Sequence, residues 1–235
     1  MKYNIVSIDP SLISTALVIN GKNGLKLFNY CRESAAYNKS GLSKWFKFCE
    51  NEIILRFIEH RKYTNYSDGE LIKLADYDKI TSMIIKDIED NIDKSLPTKI
   101  GTEGYSFSSA SGDLIDLVTF STILRMKLFN ISQDILIVSP STLKMEACKL
   151  TYPPINEGVR KEKWVYKNND GVSGGSLTKH GIFLCIVENE TFTDKWAKLC
   201  KSLKTDVIES SKVAKPIEDI DDAYILYRYL DKFNN

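Results

Sequence analysis

Histidine is scarce in this chain: His60 and His180 are the only two among 235 residues. Cysteine occurs five times, at Cys31, Cys49, Cys148, Cys185 and Cys200, an odd number with no Cys-x-x-Cys pair. Protein zinc sites need clustered thiolate and imidazole donors at short spacing, so zinc hydrolase chemistry is disfavoured. Scattered, unpaired thiols also argue against a disulfide framework and fit a reducing compartment. No apolar run approaches the length of a membrane-spanning helix, and the opening residues lack a charged-then-apolar signal pattern. The expectation is an intracellular, cytoplasmic protein with no membrane partner. A glycine-rich phosphate loop of the Walker type is missing, which disfavours an ATP-driven motor. A large excess of either charge is missing too: 32 Lys and Arg stand against 31 Asp and Glu, a net charge of +1. Any nucleic-acid surface must therefore be local.

What is present is enough to build a core, with 43% hydrophobic and 27% charged residues. The length fits one domain, 1–235, carrying insertions. Residues 3–9, 14–20 and 24–31 read as three short strands, the last two joined by the turn signal Gly21-Lys22-Asn23-Gly24, giving antiparallel hairpins. Residues 43–61 carry a helical apolar pattern, and a long amphipathic helix is expected from about Gly69 to Asp93. Pro97 ends that pattern, and residues 98–103 read as a strand. A helix over 112–129 and an apolar strand over 135–138 follow, then a helix over 142–149 with Ser141 as its N-cap. Residues 151–176, rich in Pro, Gly and Asn, read as a long loop or hairpin insertion. Helices are expected over 177–187, 193–203 and 218–232. This order points to an α/β domain, a mixed sheet with helices on its faces.

Acids stand at revealing places. The apolar strand Ile5-Val6-Ser7-Ile8 ends on Asp9, and the strand Ile100-Gly101-Thr102 ends on Glu103. Asp219-Ile220-Asp221-Asp222-Ala223 opens the last helix, with Asp219 and Asp222 on one side of it and Asp221 pointing elsewhere. Taken singly, each has a plain explanation: Asp219 as a helix-start acid complementing the dipole, Asp9 as a turn residue. As a set, they suggest carboxylates converging on a divalent metal. Oxygen ligands without His or Cys select Mg²⁺ or Mn²⁺, and two such ions suit phosphodiester cleavage.

Ser7-Ile8-Asp9-Pro10-Ser11, Thr102-Glu103-Gly104-Tyr105 and Asp219-Ile220-Asp221-Asp222-Ala223 resemble, in order and spacing, the three acidic motifs of RuvC-like Holliday-junction resolvases, within the RNase H-like nuclease superfamily. Val138-Ser139-Pro140-Ser141 followed by Lys144 resembles that family's strand-to-helix segment. The resemblance spans roughly 1–31, 98–149 and 176–232. It implies an RNase H-like mixed five-stranded sheet flanked by helices, with insertions at about 32–66 and 151–176. It implies Asp9, Glu103, Asp219 and Asp222 as metal ligands for two Mg²⁺ or Mn²⁺ ions, and Lys179 near the scissile phosphate. Tyr105 or Phe107 would supply the family's junction-stacking aromatic. The implied activity is structure-selective cleavage of branched DNA by a homodimer. Together with the abundance of Lys, Ile, Asn and Tyr, the resemblance hints at a viral or phage origin.

From Ser141 to Lys179 there are seven basic residues against four acidic ones. Lys144, Lys149, Arg160, Lys161 and Lys163, interleaved with Trp164, form a candidate DNA-binding surface. A solvated charged hairpin explains the same count equally well. Two other readings stand beside the resolvase: a nuclease of this fold acting on flaps, nicks or RNA–DNA hybrids, and a non-catalytic nucleic-acid-binding protein.

Overall fold

The structure is a computed structural model and describes residues 2–32, 42–59, 61, 63–105, 111–158, 161–210 and 212–232. The chain opens with three antiparallel strands, β1 (Asn4–Asp9), β2 (Ser14–Gly21) and β3 (Gly24–Arg32). Helix α1 (Leu42–Cys49) leads to strand β4 (Ile53–Ile58) and the long helix α2 (Tyr66–Asn91). Then come β5 (Thr98–Glu103), α3 (Ser111–Leu128), β6 (Ile135–Val138) and α4 (Pro140–Thr151). A small hairpin, β7 (Ile155–Asn156) with β8 (Trp164–Val165), precedes four helices: α5 (Lys179–Glu188), α6 (Lys195–Ser202), α7 (Lys204–Ser210) and α8 (Ile217–Asp231).

The main sheet runs β4-β3-β2-β1-β5-β6. Strands β4, β5 and β6 are each parallel to their neighbours, so the sheet is mixed, as expected for the α/β class. Among the described residues it has six strands instead of five. The extra strand is β4, taken from the 43–61 stretch that the apolar spacing assigns to a single helix. Ile53-Ile54-Leu55-Arg56-Phe57-Ile58 is a short apolar run, rich in β-branched and aromatic residues, whose periodicity does not separate strand from helix. Its pairing with β3, Leu27 opposite Ile53 through Arg32 opposite Ile58, decides for strand. A second correction concerns α4. Its N-cap is Ser139, which accepts a hydrogen bond from the Thr142 amide at 3.2 Å. Pro140 takes the first helical position, where its missing N–H costs nothing, so the helix starts earlier than Ser141 implies.

Side chains alternate across a strand, so each strand serves two cores. Val6 and Ile8 of β1, with Leu17, Ile19, Phe28 and Tyr30, face α2 and α3 through Ile80, Ile84, Ile88, Phe120 and Leu124. Ile5, Ala16, Val18 and Leu27 face α8 and its neighbours through Ile220, Ala223, Tyr224 and Leu226. Helix α8 lies close against the sheet. Ser7 Oγ donates to the Ala223 carbonyl at 2.7 Å, and a Cβ on Gly101 would meet Leu226 and Leu230 at about 3 Å. No helix among the described residues is long and apolar enough to cross a membrane.

Candidate metal centre

The alternation that builds the two cores also aims the acids. In β1, Ile5, Ser7 and Asp9 share the face that meets α8; in β5, Gly101 and Glu103 share it. The two strands are parallel neighbours, with Ile8 opposite Thr102, so Asp9 and Glu103 leave the sheet side by side at its C-terminal edge. The third acid comes from α8, whose first turns cross that edge. Among the described residues, Asp9, Glu103 and Asp222 form a group in which one carboxylate oxygen from each lies within 4.8 Å of the others. Lys179, at the start of α5, makes an ion pair with Asp222 Oδ2. Thr178 caps that helix by accepting from the Gly181 amide at 3.2 Å, which fixes the turn that carries Lys179.

Like charges packed this way are costly. Burial, then the negative charge of Glu103 and a hydrogen bond with it, push the Asp9 carboxyl well above the usual carboxylate range, while Lys179 pulls it back. An all-oxygen donor set, largely removed from water and short of positive charge, fits a hard divalent cation such as Mg²⁺ or Mn²⁺.

The structure does not bring the fourth acid into the group. Asp219, 4% exposed, has its Oδ2 on Ser14 Oγ at 2.5 Å and its Oδ1 on Lys215 Nζ at 2.6 Å. Its carboxyl is raised by burial and held down by Lys215 and Ser14. Asp221 points away from the triad, as the helical spacing indicates. It accepts from Trp196 Nε1 at 3.0 Å, and burial lifts its carboxyl to about 7 against that hydrogen bond and one from Cys200.

The aromatic and basic candidates are spread more widely. Tyr105 follows Glu103 closely, and its hydroxyl accepts from Arg125 Nη1 at 2.9 Å beneath a guanidinium 4.8 Å from the ring centre. Arg125 Nη2 also donates to the Glu103 carbonyl at 3.2 Å, tying α3 to the strand end that bears the acid. Lys149 is paired with Glu146 at 2.7 Å, and Lys144 is half-buried on the same helix. Lys161, Lys163 and Trp164 are exposed on or beside the β7–β8 hairpin, Trp164 at 57%. Phe107 and Arg160 lie outside the described residues.

Three participants escape a sequence reading: Ser14, Lys215 and Arg125. Lys215 alone leaves a trace, since it stands four residues before Asp219. Ser14 and Arg125 act across long chain separations that no local pattern encodes.

No protein-family model matches the chain, and no curated protein matches it. Solved structures to which it is similar include Thermus thermophilus RuvC, with a TM-score of 0.46 and 10% identity over 98% of this chain and 96% of that one. The T. thermophilus RuvC complex with Holliday junction substrate gives 0.46 and 7% over 98% and 96%. The yeast mitochondrial Holliday junction resolvase Ydc2 gives 0.40 and 10% over 96% and 76%.

Proposed function

We propose that the protein is a divalent-metal-dependent endonuclease that cuts phosphodiester bonds in branched DNA, acting on four-way junctions as a homodimer. One observation carries the reading: three carboxylates from distant parts of the chain, Asp9, Glu103 and Asp222, meet at the edge of the sheet with Lys179 beside them. The three acidic motifs, in their order along the chain, support the choice of a junction resolvase among metal nucleases. A two-fold symmetric junction asks for two sites related by an axis.

Asp9, Glu103 and Asp222 would hold the cation, Mg²⁺ or Mn²⁺. When bound, it supplies the charge that activates water and stabilises the leaving oxygen of the phosphodiester. Burial and the neighbouring Glu103 favour a proton on Asp9, which a bound cation would displace. Lys179 orients Asp222 and offers its ammonium to a phosphate oxygen at the same edge. Tyr105, held flat under Arg125, presents a ring to an unstacked base next to the cut. Lys161, Lys163 and Trp164 of the hairpin, together with Lys144 and Lys149 of α4, would extend the contact to an arm of the junction.

The test offers synthetic four-way junctions, duplexes, flaps, nicked duplexes and RNA–DNA hybrids to the protein, each with and without Mg²⁺. Paired, metal-dependent cuts in the junction are expected. Cleavage of flaps or hybrids in preference would move the protein to another substrate of the same chemistry. Binding without cleavage in any metal would leave a nucleic-acid-binding protein.

A further inference from the structure

The acid that stays out of the triad is held by the protein itself. Both oxygens of Asp219 are engaged by donors, Ser14 Oγ on one side and Lys215 Nζ on the other. Ser14 is in turn hydrogen-bonded with Asn29 on the neighbouring strand. Lys215 has a second carboxylate, Glu218, at 3.3 Å. Burial works against its charge, but Asp219 and Glu218 outweigh that and keep the ammonium cationic.

Asp219 is nevertheless close to the centre. It stands one helical turn before Asp222 on α8. A free carboxylate there would be an ordinary oxygen ligand for a second ion. An ammonium in contact with it meets the same demand for positive charge with no coordination bond, and it needs no ion from solution.

We propose that Lys215 is a built-in cation that withholds Asp219 from the metal centre, so that the nucleic-acid-free protein takes one divalent ion, on Asp9, Glu103 and Asp222, instead of two. Lys215 is a positioning residue, since it acts through Asp219. The inference rests on the metal-centre reading above, and its test keeps the two apart.

Mn²⁺ is titrated into the protein without nucleic acid, and the unbound ion is counted from its electron paramagnetic resonance signal. Wild type should bind a single ion per chain, and Asp219→Asn should match it in number and affinity. Lys215→Met frees Asp219 and should add a second bound ion or tighten the first by about tenfold, the scale of changes around metal ligands. The double variant Lys215→Met/Asp219→Asn should return to wild-type binding, a reversal that a purely structural lysine would not give. Ser14→Ala releases the other oxygen, and a smaller change in the same direction is expected. It keeps the question answerable if Lys215→Met does not fold. Two ions on wild type overturn the proposal. So does an Asp219→Asn protein that loses affinity as strongly as Asp222→Asn, or unchanged binding in both Lys215→Met and Ser14→Ala. If wild type and Asp9→Asn alike bind no Mn²⁺, the metal-centre reading itself falls.

Discussion

At the scale of single residues, the centre depends on carboxylates that are there for charge and not for packing. Asp9→Asn and Asp222→Asn should each abolish Mn²⁺ binding at the triad and cut cleavage by about a hundredfold or more, with the fold retained. Combining them should add little, because groups serving one centre are strongly non-additive. Rate losses that multiply would show that the two acids do not share a site, and circular dichroism would confirm that the variants are folded. These residues are legible in the sequence because two of them end apolar strands and the third opens an apolar helix. The engagement of Asp219 is not legible. Its helical spacing matches that of a ligand, but its fate is set by Ser14, 205 residues earlier. Tyr105 shows the same limit: its position next to Glu103 is plain, while the guanidinium that holds it comes from 20 residues further on.

At the scale of elements, α8 is the part that must be placed well, and two features place it. Gly101 leaves room for Leu226 and Leu230 where a Cβ would sit at 2.8 Å from the Leu230 methyl. Gly101→Val should push α8 off the sheet, cost about 1–3 kcal/mol by overpacking and weaken Mn²⁺ binding through Asp222. Denaturant unfolding and metal titration of the same variant check both effects. Glu146 of α4 bridges Lys149 at 2.7 Å and Lys232, just past α8, at 2.9 Å. Burial pushes its carboxyl up, but the two ammonium groups outweigh that and hold it below the usual carboxylate range. A lowered folded-state pKa contributes stability above the unfolded value, lost as pH falls through the folded one. Both lysines are more than a third exposed, so solvent screens the pairs, and Glu146→Gln should destabilise by about 1 kcal/mol near neutral pH. The difference from wild type should shrink below the unfolded value of about 4.5, as melting curves across pH would report. The elements themselves are mostly readable, since turns, Pro97 and period-2 alternation mark them. Strand β4 is not, because six apolar-rich residues carry no decisive period and only β3 tells them what to be.

At the scale of the whole molecule, helix α3 has two apolar faces. Phe120, Leu124 and Leu128 fill the core beneath the sheet, while Ile115 and Met126 are 69% and 67% exposed on the opposite side. Val118 and Phe129 continue that outer stripe at helical spacing. The homodimer proposed above would pack on this stripe. Ile115→Asp/Met126→Asp should give a monomer by sedimentation that still binds Mn²⁺ and nicks a junction without making paired cuts. A double variant that stays dimeric would place the axis elsewhere.

The reach of α8 back to the first strand has a consequence in time. Ser7 meets the Ala223 carbonyl across 216 residues of chain. Loops of that length close late, since their entropy is lost before their contacts form. During refolding from denaturant, helical signal should therefore recover ahead of Mn²⁺ uptake, and the ion should bind only in the slowest phase. A half-folded chain would then carry strands and helices but no competent cutting edge. For a protein whose proposed chemistry breaks DNA, that order of folding would itself be a safeguard.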